Sequence, residues 1–191
     1  MNLINMDIAK LIYQTRQADA NPGGGAILIL VSNLAINLAL MMDKKDFENL
    51  EKDANVSRET LLKISKDYET YMQDDVDKFN HLMDRIKDKS ASEDDYLKAA
   101  TPLINMVEKN IAALDKISFF LENGKKSTIT DGEIANDLLY QALISSLPTI
   151  KLNLDMTRES FDLASKKDEA NKLYIKNQQI IERRKQWQQY M

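Results

Sequence analysis

The chain has 191 residues, 43% of them hydrophobic, and a formal charge of −4, with an isoelectric point near 5.2. That length suits one domain with a full core. The acidic balance argues against a nucleic-acid surface, and the short run Glu182-Arg183-Arg184-Lys185 does not reverse it. With no cysteine and a single histidine, His81, disulfide frameworks, thiolate metal sites and zinc centres built from several histidines are excluded. Any catalysis falls to carboxylates, lysines or hydroxyls, no metal or prosthetic cofactor is expected, and the cytoplasm is the expected compartment.

Three prolines and five glycines leave little material for turns, and strand-like alternation is scarce, so the expected fold is all-α. The reading is one domain over 1–191, an up-and-down bundle of about five to six helices. Helices are expected near 2–19, 25–43, 46–88 with a candidate break at 55–57, 92–122, 131–156 and 159–189. The amino end lacks the basic-then-apolar order of a signal peptide.

Gly23, Gly24 and Gly25 follow Asn21-Pro22 and precede an apolar helix. A glycine run there exposes backbone N–H groups at the positive end of a helix dipole, where an anion or a close-packed ligand can approach; a tight interhelical turn is the plainer reading. The helix itself, Ala26 to Met42, is polar only at Ser32, Asn33 and Asn37. It falls short of the roughly 20 residues that cross a bilayer, so a central helix buried all round is expected rather than a membrane anchor. Asn33 and Asn37 then pair with neighbouring helices or line a pocket. Lys44 and Lys45 follow it, either as solvated lysines or at a pocket mouth.

In the third helix Leu61, Ile64, Tyr68, Met72, Phe79, Leu82 and Ile86 recur at steps of three and four, a core-facing stripe in which Asp75 stands between Met72 and Phe79. A carboxylate there is desolvated, which raises its pKa toward values useful for proton transfer; the plainer reading is an aspartate at the stripe edge. Asp74, Asp77 and Lys78 read as a solvated face. Ser92-Glu93-Asp94-Asp95 is a capping start and Asn123-Gly124 a helix stop, with Pro102 and Pro148 inside helices. On the fifth helix Leu139, Ala142, Ser146, Thr149 and Asn153 form a stripe that either lines a polar pocket or bonds to its own backbone. The segment 165–191 reads as a polar C-terminal helix at the bundle edge or against another subunit.

Pro22-Gly23-Gly24-Gly25, the acidic segment Gln73 to Phe79 with Asp75 in it, Pro102-Leu103, Thr130-Asp131-Gly132 and Asn153-Leu154 together resemble the cyclodeaminase domain of formiminotransferase-cyclodeaminase. Its stand-alone bacterial relatives include methenyltetrahydrofolate cyclohydrolase. The resemblance runs from Pro22 to Leu154. It implies a helical homodimer with a tetrahydrofolate derivative as substrate and no membrane or nucleic-acid partner. Asp75 would be the catalytic aspartate, and Pro22, Gly23, Gly24, Gly25, Lys44, Lys45, Asp131 and Asn153 the substrate-binding set. The activity implied is formiminotetrahydrofolate cyclodeaminase, which closes 5-formiminotetrahydrofolate to 5,10-methenyltetrahydrofolate with release of ammonia. Alternatives are the cyclohydrolase or a helical binding or assembly protein without turnover. Three positions depart from the pattern: Gln73 where relatives often have a second aspartate, Ala26 in place of a serine, and Thr149 in place of an asparagine.

Overall fold

The computed structural model describes residues 3–17 and 21–186. Six α-helices carry the chain: α1 (Ile8–Thr15), α2 (Gly24–Leu40), α3 (Glu51–Lys87), α4 (Glu93–Asn123), α5 (Ile129–Leu154) and α6 (Leu163–Gln186). Helices α2 to α5 alternate in direction around one core, giving the expected up-and-down bundle. Helix α6 runs antiparallel to α5 and packs on α4 and α5.

Local signals set most of the helix ends. Asp7 accepts a hydrogen bond from Lys10 N–H at 2.8 Å and starts α1, so the expected helix from residue 2 is instead a 3₁₀ turn, Leu3–Asn5, followed by a shorter helix. Helix α3 runs without the candidate break at 55–57. Within that stretch Asn55 accepts from Arg58, whose guanidinium also grips Asp43 at 2.6 and 2.9 Å and closes the α2–α3 connection. Ser92 and Asp95 form the capping box foreseen for α4. Asp95 also takes the lone histidine at 3.1 Å from His81 Nε2. The Ser92 backbone and hydroxyl, with His81 and Arg85, hold the Asp95 carboxyl down at about 2. Gly124 ends α4 in extended backbone, and a β-carbon there would lie 2.5 Å from the Met42 carbonyl oxygen. Asp162 accepts from Ser165 N–H at 2.9 Å and delays α6 to residue 163. Pro102 and Pro148 both lie inside helices.

Two buried polar hubs pin the helices in register. Tyr68 O–H donates to Asn110 Oδ1 at 2.5 Å, and the Asn110 amide donates to Ser32 Oγ and the Leu139 carbonyl at 2.9 and 3.0 Å, joining α3, α4, α2 and α5. Burial pushes the Tyr68 phenol well up, so it stays protonated and donates. Near the other end, Asn177 accepts from Ser118 Oγ at 2.5 Å and donates to the Leu114 carbonyl and Asn136 Oδ1, both at 2.9 Å. This hub docks α6, a helix otherwise polar apart from a few residues such as Ala170, Ile180 and Ile181.

Helix α2 is not buried all round. Ala26, Ile29, Ser32, Ala35, Ile36 and Ala39 face the core, but Leu34 is 55% exposed and Ile27 and Leu30 are half-buried. They face α1 across an apolar groove of about 610 Å³. Helix α1 is too short to cover that face, and none of its own residues is buried. Asn33 and Asn37 take the structural role: Asn37 Nδ2 donates to Ser65 Oγ at 3.2 Å, and Ser65 donates to Asn33 Oδ1 at 2.6 Å. Among the described residues no helix is long and apolar enough to cross a membrane.

Candidate functional site

Where α2 begins, the core opens into a cavity of about 460 Å³. Gly23, Gly24 and Gly25 form one side of it, with Ile27 and Leu28 of α2. Helix α3 supplies Asp75, Val76 and Phe79. Ala99 and Leu103 of α4 floor it, and Ser145, Thr149 and Asn153 of α5 close it opposite Asp75. Asp75 is the one charged side chain among these residues.

The glycine run and the aspartate are fitted to each other. A β-carbon on Gly25 would lie 2.6 Å from Asp75 Oδ2 and 2.8 Å from Cγ, whereas one on Gly24 would meet nothing within 4 Å. No positive φ is involved, so Gly25 is needed for close approach and not for backbone freedom. The absent side chain lets the Asp75 carboxylate sit against the first turn of α2, where the Ala26 N–H donates to it. Burial pushes the Asp75 carboxyl up, the Ala26 N–H partly opposes this, and the result is about 6. Such a group exchanges protons near neutral pH. The loop before the helix is tied down by Asn80 Nδ2, which donates to Asn21 Oδ1 at 2.7 Å.

Asp75 flanks the buried stripe of α3 and does not lie within it. After Met72 the stripe steps four residues to Val76, 6% exposed, while Phe79 and Ile86 are 36% and 40% exposed. A 3.6-residue period drifts along a helix of this length, which the regular three-and-four reading missed. Asp74 pairs with Lys78 at 3.1 Å on the outer face.

Of the residues named from the sequence, the structure gathers Gly23, Gly24, Gly25, Asp75 and Asn153 around one cavity. Pro22 is buried just before the glycines but does not line the cavity. Lys44, Lys45 and Asp131 are set apart from it. Both lysines are exposed beyond the far end of α2, about 25 Å from the glycines at 1.5 Å per residue, and Lys44 Nζ rests over the Phe47 ring at 4.8 Å. Asp131 lies in the first turn of α5, one residue before Gly132, which packs on Met42 and Leu121 at that same far end. A pocket mouth shared by the lysines and the glycines therefore does not exist within one chain.

Ser146 turns away and donates to the Leu143 carbonyl of its own helix at 2.7 Å. The cavity wall is carried by Ser145 instead, a residue the stripe reading missed. The signal that identifies it is the four-residue spacing Ser145, Thr149, Asn153.

The three departures from the family pattern are also placed. Gln73 leaves the cavity, accepting from Leu3 N–H at 3.1 Å and donating to Asp77 at 2.9 Å. Ala26 is buried and serves Asp75 through its backbone. Thr149 faces the cavity. Among the described residues no group of His, Asp and Glu side chains is arranged to hold a metal ion.

Comparison with known proteins agrees with this geometry. The chain superimposes on the crystal structure of a formiminotetrahydrofolate cyclodeaminase from Thermotoga maritima with a TM-score of 0.84, covering 94% of this chain and 97% of that one at 17% identity. At that identity the likeness carries the fold. No curated protein sequence matches at a significant level. The family model for formiminotransferase-cyclodeaminase matches residues 7–172. That stretch holds all the residues that line the cavity, and by this match the chain belongs to the formiminotransferase-cyclodeaminase family.

Proposed function

We propose that the protein is a formiminotetrahydrofolate cyclodeaminase, closing 5-formiminotetrahydrofolate to 5,10-methenyltetrahydrofolate with release of ammonia. The observation that carries this reading is Asp75, a single carboxyl at about 6, held against the glycine turn in an otherwise uncharged cavity. The reaction needs one group that both takes and returns a proton. N10 of the substrate attacks the formimino carbon, and the Asp75 carboxylate accepts the N10 proton as the N10–C bond forms. The same carboxyl then returns it to the former imine nitrogen. With a second proton from solvent the C–N bond breaks, ammonia leaves, and the positive charge stays on the new N5–C–N10 unit. Apolar walls from Ile27, Leu28, Val76 and Leu103 keep the carboxyl basic enough for the first step and acidic enough for the second. Catalysis comes from the chain's own residues and the folate is substrate.

A homodimer in the cytoplasm completes the proposal. The absence of cysteine supports the compartment. The uncovered apolar faces of α1 and α2, with Ile8 75% and Ile12 64% exposed, support self-association.

Purified protein given 5-formiminotetrahydrofolate is expected to raise methenyl absorbance and release ammonia, and Asp75→Asn to remove both. Loss of absorbance from added methenyltetrahydrofolate, without turnover of the formimino compound, assigns the cyclohydrolase instead. No turnover of either folate refutes the enzymatic reading.

A further inference from the structure

The proton transfer just described uses α3 and the start of α2 and leaves one wall of the cavity without a task. Ser145, Thr149 and Asn153 stand on that wall at four-residue intervals along α5, each about 6 Å above the last. Several hydroxyl residues elsewhere in these helices bond back to their own backbone: Thr60 to Val56, Thr101 to Leu97 and Ser146 to Leu143. Thr149 does not, and neither Thr149 nor Asn153 spends its side chain on a partner among the described residues. Ser145 Oγ accepts from Gln141 Nε2 at 3.0 Å, which leaves its own hydrogen free to donate. Facing this ladder is a ring, Phe79, on the same helix as Asp75 and one turn further on. The cavity thus offers an apolar face, one polar edge and, across from that edge, one carboxyl.

We propose that Ser145, Thr149 and Asn153 form a specificity ladder that reads the hydrogen-bonding edge of a flat bicyclic heterocycle lying against Phe79. The heterocycle's opposite edge, with the nitrogens to be closed, is thereby presented to Asp75. The amide and amino groups of a pterin pyrimidine edge match donors and acceptors of this kind, and the ring's thickness suits a cavity walled by Phe79, Leu28 and Leu103. The assignment rests on the folate reading of the cavity, although not on which folate reaction follows.

The test uses the intact chain with three probes: 5-formiminotetrahydrofolate for turnover, 5-formyltetrahydrofolate for binding, and p-aminobenzoylglutamate, the tail without the ring. Thr149→Val and Ser145→Ala are each expected to raise KM and the 5-formyltetrahydrofolate Kd about tenfold, with the loss falling on KM and not on kcat. Affinity for the tail probe is expected to hold, and Leu152→Gln, on the exposed face of α5 at 71% exposure, to behave as the parent protein. Unchanged Kd for the ring probe in both variants overturns the ladder. An equal loss for the tail probe also overturns it, by moving the ladder to the tail. If the parent protein binds 5-formyltetrahydrofolate through the ladder but turns over neither folate, the reaction proposal falls and the ladder stands. If it binds no folate, both fall.

Discussion

Gly25 and Asp75 occupy space that only one side chain can fill. Gly25→Ala forces the carboxylate to swing away from the Ala26 N–H. Because a carboxylate can rotate into the open cavity, the stability cost is expected to stay below about 2 kcal/mol, while kcat/KM falls on the order of 100-fold as the proton-transfer group is misplaced. Gly24→Ala meets open space within its own chain and is expected to gain about 0.5–1 kcal/mol from the reduced freedom of the unfolded chain. Thermal melts and initial rates on the two variants separate close approach from simple turn-making.

The same carboxyl gives a pH signature. Its folded-state value, about 6 against 3.8 for the free group, means that the fold favours the protonated form. That contribution is complete below about pH 4 and is lost as pH rises through 6. Asp75→Asn removes the charge and is therefore expected to be more stable than the parent at pH 8, on the order of 1–3 kcal/mol, with the difference vanishing near pH 4. Denaturant midpoints at the two pH values check this. A gain in stability accompanied by loss of turnover marks a residue kept for chemistry. Parent activity is expected to rise with pH through about 6, as the base form appears.

At the scale of elements, the two amide hubs explain how helices of mixed polarity hold one register. Asn110 is fully buried and bonded to three other helices, so Tyr68→Phe leaves its oxygen without its donor and is expected to cost about 1–3 kcal/mol globally. Asn177 secures a single peripheral helix. Asn177→Ala is expected to speed amide hydrogen exchange across α6 while α2 to α5 keep their protection, because α6 contributes little apolar area of its own.

At the scale of the whole molecule, α1 stands off the bundle with its apolar face open. A stable dimer buries about 800 Å² per partner, and among the described residues α1 with the outer face of α2 offers an apolar surface on which the proposed dimer would form. Ile8→Asp together with Leu34→Asp is expected to convert a dimer to a monomer by light scattering without altering the helical content. A parent protein that is monomeric at micromolar concentration refutes the homodimer.

The sequence by itself determined the class and the order of the helices. Scarce glycine and proline, three-and-four periodicity, the Ser92 cap and the Gly124 stop are local properties, and local properties survive in a linear reading. Asp75 and the glycine turn were legible as candidates from local sequence, although the stripe that singled out Asp75 runs beside it through Val76 and not through it. Tertiary structure alone decided which candidates meet. Antiparallel packing of α2 against α3 and α5 brings Gly25, Asp75 and Asn153 to one end and carries Lys44, Lys45 and Asp131 to the other, a consequence of helix direction that no spacing within one helix encodes. It also chose Ser145 over Ser146 and Val76 over Phe79, because the rotation of a long helix about its axis is set by its neighbours' packing, to which a stripe drawn from one sequence is blind.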